Sequence, residues 1–71
     1  MDLNETKALI GRRIANARQS HGYSLKQFCL MIGLGRVTLS RIESGIGNPT
    51  IATLQRIADC LDIKLRLSFI E

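Results

Sequence analysis

Apolar positions fall first into a three-to-four spacing and then, near the end, into alternation. Leu3, Ile10, Ile14 and Ala17 recur at helical spacing, while Arg12, Arg13, Asn16 and Gln19 point elsewhere. This predicts a first helix over about Asn4–Ser20 with those four apolar residues as its buried stripe. Asn4 or Asp2 can cap its start, and Asp2 with Glu5 has the spacing of a capping box. Gly22 stops the helix as a left-handed cap. Ser24-Leu25-Lys26-Gln27 is a second capping-box pattern and opens a helix whose apolar face is Phe28, Cys29 and Ile32. Gly33 closes it, Leu34 reads as buried, and Gly35 can cap the next helix, although Ser or Thr would cap better.

A third helix is predicted over about Arg36–Ser44. Leu39 and Ile42 face inward, and Arg36, Val37, Ser40 and Arg41 lie opposite. Ser44–Pro49 reads as a loop. Thr50 caps a fourth helix reaching about Leu61, with Ile51, Leu54, Ile57, Ala58 and Leu61 as its core stripe. From Ile63 to Ile70 the period changes to two, the pattern of a half-buried strand. No second strand is available in the chain. A lone apolar-faced strand is prone to association. The expectation is antiparallel pairing with the same strand of a second copy, placing Leu65, Leu67 and Phe69 of both chains against the helices. The chain then divides into a helical domain, residues 1–62, and a dimerisation strand, residues 63–71.

Composition narrows the function. A chain of 71 residues implies one domain with a small core, for which oligomerisation is a common remedy. Apolar residues make up 45%, too many for a disordered chain. There is no apolar run of membrane-spanning length, and the acidic start Met1–Glu5 is unlike a secretory leader. Cys29 and Cys60 stand far apart, without a CxxC or a His cluster, so no metal site is expected and both read as buried thiols. His21 is the single histidine and reads as a surface or capping group. No nucleophile–base set is present, so neither an enzyme nor a cofactor is expected. Ten Lys and Arg against six Asp and Glu leave a net charge of +4, and seven of the ten cations are Arg. That excess suits a polyanionic partner, and on charge alone a merely solvated basic surface remains open.

The stretch Gly33-Leu34-Gly35-Arg36 begins like a phosphate loop, but it has no third Gly, no P-loop Lys and no preceding strand. Its place between two short helices instead gives a helix-turn-helix layout. In that layout the second helix stands proud of the body and can enter the DNA major groove. Leu39 and Ile42 would anchor it, leaving Arg36, Thr38, Ser40 and Arg41 as hydrogen-bond donors.

From Ile10 to Ile63 the segments "IGRRIANARQSHGYS", "LKQFCLMIGL", "RVTLSRIESG" and "NPTIATLQRIADCLDI" resemble, in order and spacing, the phage-repressor-like helix-turn-helix family of lambda repressor, Cro and XRE proteins. The resemblance implies an all-α, compact four-helix DNA-binding domain, here carrying a C-terminal β-strand paired across a dimer. It implies a bacterial or phage cytoplasmic protein that binds a palindromic operator as a homodimer and represses transcription. It places the base-reading positions on Arg36, Val37 and Arg41, with Thr38 and Ser40 beside them. It makes Arg18 and Glu43 a structural ion pair between the first and third helices. Ser24, Lys26, Ser44, Asn48 and Thr50 are the candidates for holding DNA phosphates, with helix capping as the alternative role for Ser24 and Thr50. The chain departs from the family at Leu25, where a polar phosphate contact is common, and at Gly35, which replaces a capping Ser or Thr. A strand also stands where a fifth helix is usual. That ending resembles the antitoxin partner of the HipA kinase, so a toxin protein is an alternative partner.

Overall fold

The computed structural model describes residues 1–70 of the chain. It contains α1 (Leu3–Ser20), α2 (Leu25–Ile32), α3 (Arg36–Glu43) and α4 (Ile51–Cys60). Each helix begins where local chemistry satisfies its free amides. Asp2 caps α1, its carboxylate accepting from the Glu5 amide at 2.8 Å. Ser24 and Gln27 form a complete capping box on α2, with bonds of 3.0 and 2.8 Å. The Thr50 hydroxyl accepts from the Thr53 amide at 3.1 Å and starts α4. Gly35 caps α3 by backbone conformation alone, with no side-chain bond.

The inward stripes meet in one core. Phe28, Leu39 and Leu61 are fully buried, and Ile57 is nearly so. Ile14, Cys29, Ile32, Ile42 and Leu54 complete the cluster, with Ile10, Ala17, Tyr23, Leu34 and Leu65 packed at its edge. Several expected core positions differ, and Ile10, Ala17 and Leu34 are half-buried at the core edge. Leu3 and Ile51 are exposed, at 66% and 64%, because each is the first residue of its helix and projects beyond the packed turns. Cys60 is only half-buried, and neither cysteine is paired. α1 and α3 approach so closely at Gly11 that an added Cβ would overlap the Ile42 carbonyl and lie 2.6 Å from that of Glu43. No described helix is long and apolar enough to cross a membrane.

The C-terminal strand is corrected. Residues 63–70 have no regular secondary structure, and no β-strand occurs among the described residues. A strand is defined by its inter-strand hydrogen bonds, and this chain supplies no second extended segment to make them. The alternating pattern reflects partial burial instead. Leu65 turns inward and packs against the core edge, whereas Leu67, Phe69 and Ile70 are 59%, 98% and 95% exposed. Glu71, the last residue of the expected strand, lies outside the described residues.

Candidate nucleic-acid interface

The turn between α2 and α3 fixes how α3 is presented. Gly33 sits at φ +68°, the left-handed region that L side chains avoid, and its amide donates to the Cys29 carbonyl. The Leu34 amide donates to the same carbonyl at 3.1 Å. The Ile32 carbonyl, left free at the helix end, accepts from Arg56 Nη1 of α4 at 2.9 Å. This guanidinium ties α4 to the turn and places a positive charge at the C-terminal end of α2, where the helix dipole favours it.

α3 is pinned from the other side by Arg18. Arg18 Nε and Nη2 donate to Glu43 Oε2 and Oε1 at 2.7 and 3.0 Å, a bidentate pair. Its Nη1 donates to the Tyr23 carbonyl at 2.7 Å. Both side chains of the pair are about one-tenth exposed. The hydrogen bond to Glu43 raises the Arg18 pKa above its ordinary value, against desolvation, which lowers it. One side chain thus joins α1, the α1–α2 turn and the last residue of α3.

With Leu39 and Ile42 buried, α3 turns Arg36, Val37, Thr38, Ser40 and Arg41 to solvent, Val37 being 72% exposed. Two shallow depressions flank this ridge. Leu25, Arg36, Val37, Ser40 and Arg41 line one, and Leu34, Thr38, Arg41, Asn48 and Thr50 border the other. Arg41 borders both. Asn48 and Thr50 therefore stand beside the α3 ridge. Ser24, Lys26 and Ser44 are exposed but line neither depression. The hydroxyls of Ser24 and Thr50 are engaged in capping their own helices.

Sequence reasoning did not single out Arg56, Gly11 or the stack of His21 on Tyr23 and of Tyr23 on Phe28, whose ring centroids are 5.4 and 6.0 Å apart. His21 Nε2 also lies 2.8 Å from the Leu61 carbonyl, holding the end of α4 to the end of α1. Gly11 carried a readable signal: a glycine inside a helix costs about 1 kcal/mol relative to alanine, so its presence points to close packing. Arg56 carried none, because its partner is a backbone carbonyl distant in sequence.

Two short helices joined by a glycine-bearing turn, with the second anchored on one face and polar on the other, define a helix-turn-helix protein. The family model described as "Helix-turn-helix" matches residues 14–67, and the chain belongs to that family. It is 34% identical over 58 residues to the HTH-type transcriptional regulator SlrR of Bacillus subtilis, covering 80% of this chain and 38% of that one. It is 36% identical over 56 residues to the cryptic phage CTXphi transcriptional repressor RstR of Vibrio cholerae, covering 79% of this chain and 50% of that one. A crystal structure of SinR, described as the master regulator for biofilm formation, in complex with DNA superposes with a TM-score of 0.73 at 36% identity, covering 78% and 89% of the two chains. The chain thus spans about 38–50% of the length of SlrR and RstR.

Proposed function

We propose that this protein binds duplex DNA sequence-specifically through the outward face of α3, acts as a homodimer on a palindromic operator, and represses transcription. The observation that carries this reading is the division of α3. Leu39 and Ile42 are buried, and every other side chain from Arg36 to Arg41 faces solvent. A groove-entering helix needs both faces at once. The likeness to a regulator described in complex with DNA and to a phage repressor supports it.

In this reading Arg36 or Arg41 takes a guanine edge bidentately, and Val37 lies against a thymine methyl. Thr38 and Ser40 bond base edges or adjoining phosphates. Lys26, Ser44 and Asn48 hold phosphates by side chain. Ser24 and Thr50, whose hydroxyls cap helices, do so through backbone amides at the starts of α2 and α4. The exposed Leu67 and Phe69 contribute to self-association, with Leu65 beneath them supporting the tail. Residues 1–62 form the reading unit and the tail the associating one. The toxin-holding alternative rests on a tail strand, which the described residues lack.

Selection from random duplexes with the purified chain tests the proposal. The expected product is a palindrome with half-sites about one helical turn apart. An Arg41→Ala protein should bind the selected duplex more weakly and discriminate less at one base pair, by about 1–3 kcal/mol. Unchanged affinity and selectivity would remove α3 from the interface.

A further inference from the structure

A second concave surface lies away from the α3 ridge. It is a groove of about 470 Å³ between α1 and α4, closed along one side by the start of the tail. Ile10, Ala17, Ile57 and Leu65 are among its apolar lining, and no residue of it belongs to α2 or α3. Its only charged lining residues are Arg13, Lys64 and Arg66. Among the described residues the one ion pair is Arg18–Glu43, so none of these three cations has a described carboxylate within bonding distance. No strand edge borders it. The surface is therefore a helix-walled apolar trough with a rim of one charge sign.

We propose that this groove receives an acidic amphipathic helix of a partner protein. Walls from two helices and a lining of Ile, Leu and Ala suit a third helix, whose apolar residues at i, i+3, i+4 and i+7 would enter the trough. Carboxylates flanking that stripe would meet Arg13 on one side and Lys64 and Arg66 on the other. The charge argument also selects against a second copy seated face to face. Two-fold pairing there would bring both sets of cations into one poorly solvated interface without compensating acids. The groove shares no lining residue with the depressions beside α3. A helix in the trough would therefore leave the DNA-reading face open, and the inference stands independently of that assignment.

Two synthetic helical peptides with the same leucine stripe, one bearing glutamates and the other lysines on its flanks, provide the test on the full chain. The glutamate peptide should bind saturably and move the amide resonances of Ile10, Ala17, Ala58 and Leu65, leaving Val37 and Ser40 in place. The lysine peptide should not bind. Reversing two exposed rim charges together, Arg13→Glu with Arg66→Glu, should weaken glutamate-peptide binding about tenfold or more, the scale of two close charge contacts. Arg36→Ala should leave it unchanged. Equal binding of both peptides, or shifts gathered on α3, would overturn the proposal as generic attraction to a basic protein. Exclusion of the peptide from groove amides that are already covered in a sedimenting dimer would assign the trough to a second copy instead.

Discussion

Arg18, Arg41 and Arg56 show how three identical side chains take three different jobs from their surroundings. Arg41 is exposed between two depressions, Arg56 reaches back to a helix-end carbonyl, and Arg18 is held in a bidentate pair. Replacing Arg18 by Ala strands the Glu43 carboxylate in a nearly closed site and frees the Tyr23 carbonyl. Urea unfolding should show a loss of about 3–5 kcal/mol. The double replacement with Glu43→Ala should cost less than the sum of the two single ones, since it removes both charges. The sign of the shift sets the pH dependence. A cation with a raised folded-state pKa adds stability below its unfolded-state pKa and loses it as pH rises through the folded one. For Arg18 that window lies above its ordinary guanidinium pKa, far into the alkaline range, so the contribution should stay flat between about pH 6 and 10. Arg56→Ala, by contrast, should lower stability modestly, by about 1 kcal/mol for a helix-end hydrogen bond. It should leave the salt slope of DNA binding unchanged, because Arg56 lines neither depression beside α3; a slope reduced by about one would mean a phosphate contact.

At the scale of elements, the helices were legible because their ends are written in neighbouring residues. Asp2, Ser24 and Thr50 cap α1, α2 and α4 as their spacing predicts, and Gly33 turns the chain with a left-handed backbone. Ser24→Ala should therefore cost about 1 kcal/mol in thermal or urea unfolding, the usual worth of an N-cap. The division of α3 was legible too, since a 3.6-residue period fixes which positions share a face. The tail was not. Alternation records which residues find an apolar neighbour, and a ladder partner must come from elsewhere in space. Leu65 found the core edge without one. The close approach of α1 to α3 was equally hidden, because it depends on what Gly11 lacks. Gly11→Ala should force the two helices apart, costing about 1–3 kcal/mol as overpacking does. Its effect should appear in unfolding experiments before any test of binding.

For the whole molecule, five of the ten Lys and Arg line two separate surfaces. Arg36 and Arg41 border the α3 depressions, and Arg13, Lys64 and Arg66 border the trough, which shares no lining residue with them. Binding to the selected duplex should weaken steeply with salt, with a slope set by the phosphate contacts alone. Charge reversal at Arg13 and Arg66 should leave that slope largely intact. The tail divides by position into a packed residue, Leu65, and an exposed end. Ending the chain after Arg66 removes the exposed Leu67, Phe69 and Ile70, and should weaken self-association in sedimentation while leaving the melting temperature nearly unchanged. Ending it after Ile63 also removes Leu65 and should lower the melting temperature. Identical sedimentation of the full-length and shorter chains would exclude the tail from association.

The two faces of α3 bear on how such a protein can change over generations. The five outward positions contribute almost nothing to the core, while Leu39, Ile42 and Glu43 hold the helix in place. Substitutions at positions 36, 37, 38, 40 and 41 should therefore be nearly neutral for folding, whatever they do to the choice of duplex. A lineage could drift from one target to another through a series of fully folded proteins, with preference and stability inherited separately.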